Sequence, residues 1–499
     1  MPTTPAVLAH ALRRYGTKPL AEVLEPAIEA AASGYPVSQL QHQLTERERK
    51  YLKEFSGGRL FLRDDKTTYP VGATFRQPAL ARTLQRLAAA GVEDFYQGDI
   101  ALQIHNDMVA NDGLVRDDDL AQIPWPVERK PLAARHGDRR VYTFGPPGAG
   151  RALVEALNLV GQFPPEASDP DTPEGALLLA HVLLRANLDR SDRPEDPELV
   201  SEEIERGEGI TYIEYARRAA GRIRSSIETQ GETTHLSAMD AAGNAVALTQ
   251  SIERVYGSFS ASPELGFLYN NYMSAFEYRD IRHPYYLRPG AMPWTSVAPT
   301  LVFEGDRPWL ALGSPGSERI VSAILQVLMR LGRGASPYDA VEAPRLHCSI
   351  RGAVSLEAGR MHDGIVPLLE SQGFDIDIRE PYSFFLGCVQ LVRYENGEFL
   401  GVVTADAILR LDEILGETSG ESDDEHEPAS GLRQIPALVG RELRNTFTPA
   451  VTRVVERAPG WKLWAGVGLA LLMMIGGIAW ALVDRKPDYL PNPGITPLV

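Results

Sequence analysis

Hydrophobic positions recur at helical spacing through much of the first half of the chain, whereas alternating or short apolar runs are more common later. Apolar residues three and four apart predict amphipathic helices, and strict alternation predicts half-buried strands. The predicted helices cover residues 6–33 with a break at 16–19, then 41–56, 77–90, 100–110, 152–160, 173–186, 210–228, 319–332 and 366–372. The predicted strands cover residues 140–144, 300–303, 309–313, 375–379 and a hairpin at 389–394 and 399–404. Strands grouped with helices outside them predict a layered α/β fold.

A second hairpin carries the candidate chemistry. Two alternating runs join through a turn at 240–244, with Thr233 at the start of the first strand and Ser251 at the end of the second. A threonine hydroxyl is a weak nucleophile at neutral pH unless a base lies beside it. One solution is a chain cleavage that frees the threonine's own α-amine, whose pKa is about 8. Thr233 is therefore the candidate nucleophile, and the bond between Glu232 and Thr233 is the candidate cleavage site.

The same hairpin resembles a known family. The string Thr-Thr-His-x-Ser-x-x-Asp-x-x-Gly-Asn-Ala-Val at 233–246 is similar to the start of the small subunit of the gamma-glutamyltransferases (glutathione hydrolases), which are self-cleaving N-terminal-nucleophile enzymes. Further segments follow the family's order between about residue 5 and about residue 410. They are Tyr-Gly-Thr-Lys-Pro at 15–19, Pro-Ala-Ile at 26–28, Asp-Phe-Tyr-Gln-Gly at 94–98, Tyr-Gly-Ser at 256–258, Gly-Phe-Leu-Tyr-Asn-Asn-Tyr-Met at 266–273, Ser-Val-Ala-Pro-Thr at 296–300, Gly-Ser-Pro-Gly-Ser-Glu-Arg-Ile at 313–320 and Ala-Pro-Arg-Leu-His at 343–347. The resemblance implies a four-layer αββα sandwich with the threonine at a strand end.

The resemblance also implies which groups assist the attack. The backbone amides of Gly316 and Ser317 match the donors that hold the tetrahedral oxyanion, although the family usually has glycine at the second place. Ser251 stands where the family has a threonine hydroxyl that contacts the nucleophile, and the replacement keeps the hydroxyl. A polar residue at the end of a strand is the alternative interpretation of Ser251.

Substrate recognition matches the family less closely. Thr295 and Ser296 match the hydroxyl pair that holds the glutamyl α-carboxylate in the family. Glu253 replaces an asparagine, Tyr272 replaces a glutamine, and Ala275 replaces the acidic residue that holds the α-amino group. The family's carboxylate-binding arginine belongs to an opening segment that this chain lacks before residue 5, which predicts either a truncated start or a reduced relative. We hypothesise that Glu253 supplies the negative charge that is lost at Ala275.

Composition excludes several other functions. The chain has 66 acidic and 50 basic residues and a net charge of −16, which argues against a nucleic-acid partner. Cys348 and Cys388 supply neither a disulfide framework nor a metal ligand set, and burial is predicted for both. The glycine-rich turn at 145–151 lacks the Lys and Ser or Thr of a phosphate-binding loop, and the acidic run at 423–427 is interpreted as a solvated linker. No cofactor and no metal are predicted.

The C-terminal part predicts a membrane anchor. Residues 463–483 carry no charge and are long enough for a bilayer core, which needs about 20 apolar residues. Tryptophans lie near the ends of this run, as interfacial aromatics do, and a buried core helix is the alternative. The predicted regions are 1–232 (large-subunit-like), 233–410 (small-subunit-like and catalytic), 411–460 (linker), 461–483 (transmembrane helix) and 484–499 (tail). The excess of basic residues before the span favours a cytoplasmic catalytic region, whereas the family's habit of export favours the periplasmic or extracellular side; no signal peptide is predicted.

The predicted function is that of a membrane-anchored, self-processing amide hydrolase or acyltransferase. It would cleave gamma-glutamyl amides such as glutathione, pass the acyl group to water or to an amine acceptor, and consist of a large and a small subunit after self-cleavage. Two alternatives stay open: an inactive relative that acts as a membrane-anchored binding protein, and an acylase for other amides.

Overall fold

A computed structural model describes residues 2–192, 197 and 233–404 of the chain. The helices of this part are α1 (Thr4–Tyr15), α2 (Leu20–Ser33), α3 (Gln39–Glu54), α4 (Gly58–Phe61), α5 (Pro78–Ala90), α6 (Glu93–Gln97), α7 (Asp99–Ala110), α8 (Asp117–Ala121), α9 (Gly150–Val160), α10 (Pro173–Asp192), α11 (Arg319–Gly332), α12 (Pro337–Glu342) and α13 (Ile365–Ser371). The strands are β1 (Tyr35–Pro36), β2 (Thr74–Phe75), β3 (Leu132–His136), β4 (Arg139–Thr143), β5 (Thr234–Met239), β6 (Ala245–Gln250), β7 (Ala261–Ser262), β8 (Phe267–Leu268), β9 (Thr300–Glu304), β10 (Arg307–Gly313), β11 (Leu346–Cys348), β12 (Ala353–Leu356), β13 (Asp375–Ile378), β14 (Gln390–Glu395) and β15 (Glu398–Val403).

A six-stranded antiparallel sheet lies at the centre of the described fold. Its strand order is β15-β14-β10-β9-β4-β3. The strand β10 is buried along almost its whole length, because it is covered on both faces. Strands β3 and β4 come from the predicted large-subunit-like region, while β9, β10, β14 and β15 come from the small-subunit-like region. The two regions therefore share one sheet.

Helices and the β5–β6 hairpin cover opposite faces of this sheet. The main hydrophobic core lies between the sheet and α9, α10 and α11, and almost all of α11 is buried. The hairpin packs across β10 and β14 on the other face. Its outward residue Leu248 contacts a second core built from α1, α2 and α5. Helix, hairpin, sheet and helix thus form successive layers, which fits the predicted αββα arrangement.

Most predicted elements are confirmed, and some boundaries differ. The prediction ended α10 at residue 186, whereas the helix continues to Asp192, because Leu188 is buried and Arg185 pairs with Asp189 one turn later. The short strands β3, β11 and β12 were missed. Cys348 and Cys388 are both buried, as predicted. At the turn 145–151 a side chain on Gly150 would lie 2.0 Å from the Phe144 carbonyl oxygen, so this turn packs α9 tightly against the sheet.

Several predictions fall on residues outside the described ranges. They include the helix at 210–228, the linker at 411–460 and the transmembrane helix at 461–483. Within the described ranges, no helix combines the length and the apolar character needed to cross a membrane.

Candidate active site

Thr233 and Ser251 face each other at the open end of the β5–β6 hairpin. Thr233 immediately precedes β5 and Ser251 immediately follows β6, so the pair continues the register in which Thr234 lies opposite Gln250. The Thr233 hydroxyl lies 3.5 Å from the Ser251 hydroxyl, and both side chains are half-buried. The arrangement follows from strand geometry, since residues directly opposite in an antiparallel pair bring their side chains to the same face.

A buried histidine continues the same face of the hairpin. His235 is 2% exposed, and its ring nitrogens lie 2.8 Å from the Thr249 hydroxyl and 2.9 Å from the Ser237 hydroxyl. Burial lowers the pKa of His235 to about 3, which keeps the imidazole neutral at physiological pH. A neutral imidazole with both nitrogens bonded is suited to fixing the hairpin. It is poorly suited to accepting a proton during catalysis.

The ring of His235 rests on Gly313, the last residue of β10. A Cβ atom at Gly313 would lie 2.2 Å from the imidazole, so only glycine allows this approach. Thr233 and His235 are two residues apart and lie on the same side of the hairpin. The loop that follows Gly313 therefore leaves the central sheet at the end where Thr233 begins β5.

Two successive residues of this loop have positive φ angles. Gly316 has φ +123° and Ser317 has φ +53°, a left-handed conformation that is uncommon for serine. The carbonyl groups of Gly316 and Ser317 accept hydrogen bonds from the amides of Arg319 and Ile320 as α11 begins. Within the described part of the chain, neither the Gly316 amide nor the Ser317 amide donates a hydrogen bond. Both N–H groups are thus suited to receive an oxyanion.

A chain of hydrogen bonds leads from Ser251 to the predicted recognition residues. The Glu253 amide donates to the Ser251 hydroxyl at 2.9 Å, and Glu253 has φ +75°, in the left-handed region. One carboxylate oxygen of Glu253 accepts from the Asn271 side chain at 3.0 Å. Burial raises the pKa of Glu253, while the bond from Asn271 and the charge of Arg254 oppose this shift. The Glu253 backbone amide is therefore bonded to the same Ser251 hydroxyl that faces Thr233, while the Glu253 carboxylate is bonded to Asn271.

Tyr272, which follows Asn271 in the chain, forms a second hydrogen-bonded pair with Thr295. The Tyr272 hydroxyl lies 3.2 Å from the Thr295 hydroxyl, and the Thr295 carbonyl accepts a hydrogen bond of 2.6 Å from Arg190. Ser296 follows Thr295 and is half-buried. Glu232 lies outside the described residues. The structure links five of the predicted residues through contacts or through neighbours in the chain: Thr233, Ser251, Glu253, Tyr272 and Thr295. Gly316 and Ser317 lie in the loop after Gly313, which His235 contacts.

Comparison with known proteins identifies the family. A family model described as gamma-glutamyltranspeptidase matches residues 1–407. The chain belongs to the gamma-glutamyltranspeptidase family. It is 30% identical over 406 residues to the glutathione hydrolase proenzyme of Escherichia coli strain K12, which covers 76% of this chain and 69% of that relative. It is also 30% identical over 388 residues to the acylase ACY 1 proenzyme of Pseudomonas sp. strain V22, which covers 74% of this chain and 67% of that relative.

A solved structure agrees with the family assignment. The crystal structure of cephalosporin acylase from Bacillus halodurans superposes with a TM-score of 0.71 at 25% identity, over 80% of this chain and 75% of that one. The relatives of this gamma-glutamyltranspeptidase family member thus include both glutathione hydrolases and acylases. Family membership supports a self-processing amidase of the gamma-glutamyltranspeptidase or acylase type.

The sequence interpretation missed two parts of the site of this gamma-glutamyltranspeptidase family member. The first is the polar row Ser237, His235 and Thr249, which the two-residue alternation of the hairpin could have revealed. The second is Arg190, which reaches Thr295 from α10. No local pattern around Arg190 indicates this contact, because the two residues are far apart in the chain and meet only in the fold. Within the described residues, no group of three or more His, Cys, Asp or Glu side chains could hold a metal ion.

Proposed function

We propose that the chain is a self-processing amide hydrolase or acyltransferase whose nucleophile is the Thr233 hydroxyl. The observation that carries this proposal is the position of Thr233 at the start of β5, 3.5 Å from the Ser251 hydroxyl and beside the loop that follows Gly313. Family membership supports the reaction class. The name proenzyme, which both cited relatives carry, supports self-processing.

Self-cleavage would begin with attack of the Thr233 hydroxyl oxygen on the carbonyl carbon of Glu232. The peptide C–N bond breaks as the acyl group moves to oxygen, which leaves an ester and a free α-amine on Thr233. Water then hydrolyses the ester and releases the Glu232 carboxylate. The freed amine has an ordinary pKa of about 8, so it can act as the base for later turnovers.

In turnover, the Thr233 hydroxyl attacks the carbonyl of an amide substrate while the α-amine accepts the hydroxyl proton. The amides of Gly316 and Ser317 stabilise the oxyanion, and the amine of the substrate leaves after taking the proton. The acyl-enzyme then passes its acyl group to water or to an amine acceptor. Ser251 holds the Thr233 oxygen in place, and its own position is fixed by the Glu253 amide.

Gamma-glutamyl amides such as glutathione are the first proposed substrates. Thr295 and Ser296 supply hydroxyl groups for a carboxylate, and Glu253 supplies a negative charge for an amino group. An acylase for other amides is the second candidate. Tyr272 favours it, because its hydroxyl lies 3.2 Å from Thr295 and its ring occupies the place that a glutamine has in the resemblance.

A denaturing gel of the purified full chain tests self-processing. Wild-type protein should separate into a piece that ends at Glu232 and a piece that begins at Thr233, and sequencing the second piece should give Thr as its first residue. Thr233→Ala should remain uncut and lose at least about 1,000-fold in amide hydrolysis, since it lacks the nucleophile. Thr234→Ala is the matched control, because Thr234 lies on the opposite face of the same strand, and it should be cut normally.

Two results would contradict the proposal. An uncut wild-type chain without amidase activity would favour the binding-protein alternative. Cleavage that persists in Thr233→Ala would assign the nucleophile elsewhere. If the chain is cut, a panel of gamma-glutamyl, glutaryl and simple acyl p-nitroanilides then separates the two substrate classes.

A further inference from the structure

Arg190 contacts the segment that carries Thr295 and Ser296. It lies near the C-terminal end of α10, and its guanidinium donates a hydrogen bond of 2.6 Å to the Thr295 carbonyl oxygen. The same guanidinium lies over the ring of Trp294, 4.6 Å from its centroid. Two successive residues are thus held by one side chain, through a directional hydrogen bond and a cation–π contact.

The aromatic ring under Arg190 is itself fixed. Trp294 packs against Tyr285 with their ring centroids 4.9 Å apart, and Tyr285 is 4% exposed. The Thr295 amide donates to the Pro147 carbonyl at 3.2 Å, close to the start of α9. The segment 294–296 belongs to no strand or helix. Its position depends on contacts of this kind.

The negative charge of Glu318, in the loop that follows β10, also favours the charged form of Arg190. Burial lowers the pKa of Arg190 to about 10, and the nearby Tyr285 and Glu318 oppose this shift. The side chain therefore keeps its positive charge at neutral pH. Glu318 directly follows Ser317, whose amide is the second proposed oxyanion donor.

We propose that Arg190 is a positioning residue that holds the Thr295–Ser296 segment, through the Thr295 carbonyl and the Trp294 ring, in the geometry that binds the acyl group for attack. This inference rests on the proposed amidase function. It assigns Arg190 no contact with the reacting atoms. The contribution comes from the planar fork and the stacking surface of the guanidinium, which a lysine ammonium lacks.

The test compares Arg190→Met and Arg190→Lys with a matched control in the full chain. Arg139 is that control, because it also stacks on a tryptophan, at 3.8 Å from the Trp309 ring, but lies at the opposite end of β4 from the site. For each variant, kcat and KM are measured with gamma-glutamyl and butyryl p-nitroanilides, together with the midpoint of thermal unfolding and the extent of self-cleavage.

We expect Arg190→Met to lower kcat by about 10- to 100-fold for the gamma-glutamyl substrate, because misplacing reacting groups by about 1 Å can cost about 100-fold. KM for the gamma-glutamyl substrate should also rise, while KM for the butyryl substrate should change less. Arg190→Lys should recover only a small part of kcat, and Arg139→Met should stay within about twofold of wild type. The unfolding midpoints of Arg190→Lys and wild type should agree.

Three outcomes overturn the inference. The first is a wild-type value of kcat/KM in Arg190→Met. The second is full recovery in Arg190→Lys, which would show that charge alone matters. The third is an equal loss in Arg139→Met, which would show a general effect on stability.

If Arg190→Met does not fold, Trp294→Phe and Arg190→Lys are compared with wild type instead, and a wild-type kcat in both removes the inference. A wild-type chain without any amidase activity overturns the proposed function and this inference together, whereas an active wild type with an unaffected Arg190→Met overturns this inference alone.

Discussion

The inner face of the β5–β6 hairpin and the recognition segments beside it are built differently. On the hairpin, His235 is almost fully buried, both of its nitrogens are bonded, and its ring fits against Gly313. In the recognition segments, Tyr272 and Thr295 are half-buried; Tyr272 begins a single 3-10 turn that ends at Ala275, and Thr295 lies in irregular chain before β9. The first region is tightly packed against the central sheet, whereas a change of side chain in the second disturbs no strand.

This difference explains why the site matches its family unevenly. The proposed attack machinery needs few residues, and strand register sets their spacing, so Thr233 and Ser251 lie opposite each other. Recognition depends on loops, which tolerate substitution and commonly carry specificity. The places of an asparagine, a glutamine and an acidic residue in the resemblance are occupied by Glu253, Tyr272 and Ala275. One scaffold can thus keep its reaction while it changes the acyl group.

The largest effect is expected from a change that disturbs the packing of the hairpin against β10. In Gly313→Ala the new methyl group would lie 2.2 Å from the His235 ring, so either the ring or β10 must move. We expect a loss of about 1–3 kcal/mol in the free energy of unfolding, as for other overpacked cores, and much slower self-cleavage. Urea unfolding and a time course on denaturing gels measure the two effects.

Gly359→Ala is the matched control for this change. A Cβ atom at Gly359 would meet no atom within 4 Å, so this variant should unfold and self-cleave as the wild type does. Normal stability in Gly313→Ala would show that the hairpin tolerates repacking, and the contrast between the two regions would then be lost.

Acid stability gives a second measure of how rigid the hairpin is. The pKa of His235 is about 3 in the folded chain, below the ordinary value of 6.5, so the unfolded chain binds the proton first as the pH falls. Its contribution to stability is complete above pH 6.5 and is lost as the pH falls from 6.5 towards 3, by about 1.4 kcal/mol per pH unit. His235→Gln should therefore flatten this slope between pH 6.5 and pH 5.

Urea unfolding at several pH values measures the slope, and the exposed His362 provides the control variant His362→Gln. His347 is equally buried, with its pKa also lowered to about 3, so the flattening in His235→Gln should be partial. An unchanged slope would mean that the imidazole is protonated inside the fold, contrary to the proposed packing.

Sequence periodicity predicted much of the fold because long elements carry strong patterns. The helix predicted at 319–332 coincides with α11, and the hairpin around Thr233 has the expected strands. Short elements were harder, since β11 spans only three residues and offers too few positions to show alternation. The extra length of α10 depends on burial of Leu188 and on the ion pair between Arg185 and Asp189. Helical spacing alone does not reveal the tertiary burial.

The same distinction between local and tertiary signals applies to the candidate site. The opposition of Thr233 and Ser251 follows from hairpin register and could be read from the sequence. The contact of Arg190 with Thr295 joins two residues from distant parts of the chain, and the approach of His235 to Gly313 joins two sheets. Neither contact has a local sequence signal, because each arises from the packing of separate layers.

The charge of Glu253 provides a test of substrate recognition. Glu253→Gln removes the negative charge but keeps the backbone amide that donates to Ser251. We expect KM for a gamma-glutamyl p-nitroanilide to rise about 10-fold with little change in kcat, because a partly buried carboxylate paired with an ammonium is worth about 1–2 kcal/mol more than a neutral amide. KM for a glutaryl p-nitroanilide, which lacks the amino group, should not rise.

The exposed Glu370 on α13 supplies the control Glu370→Gln, which should behave as wild type. Unchanged turnover of the gamma-glutamyl substrate in Glu253→Gln would remove Glu253 as the amino-group partner. A loss of kcat for every substrate would instead make the Glu253 side chain part of the attack machinery.

The smallest expected effect concerns the hydroxyl of Tyr272. A substrate carboxylate only accepts hydrogen bonds, so Thr295 must donate to it and can then accept a bond from Tyr272, whose hydroxyl lies 3.2 Å away. Tyr272→Phe removes this orienting bond, and a neutral, half-exposed bond is worth about 0.5–1 kcal/mol. We expect KM for glutaryl p-nitroanilide to rise two- to fivefold, by about the same energy, and KM for butyryl p-nitroanilide to stay unchanged. Tyr278→Phe, which removes an exposed hydroxyl bonded to the Met273 carbonyl, is the control. A lower KM in Tyr272→Phe would mean that the tyrosine hydroxyl competes with the carboxylate for Thr295, and the recognition segment would then be adapted to neutral acyl groups.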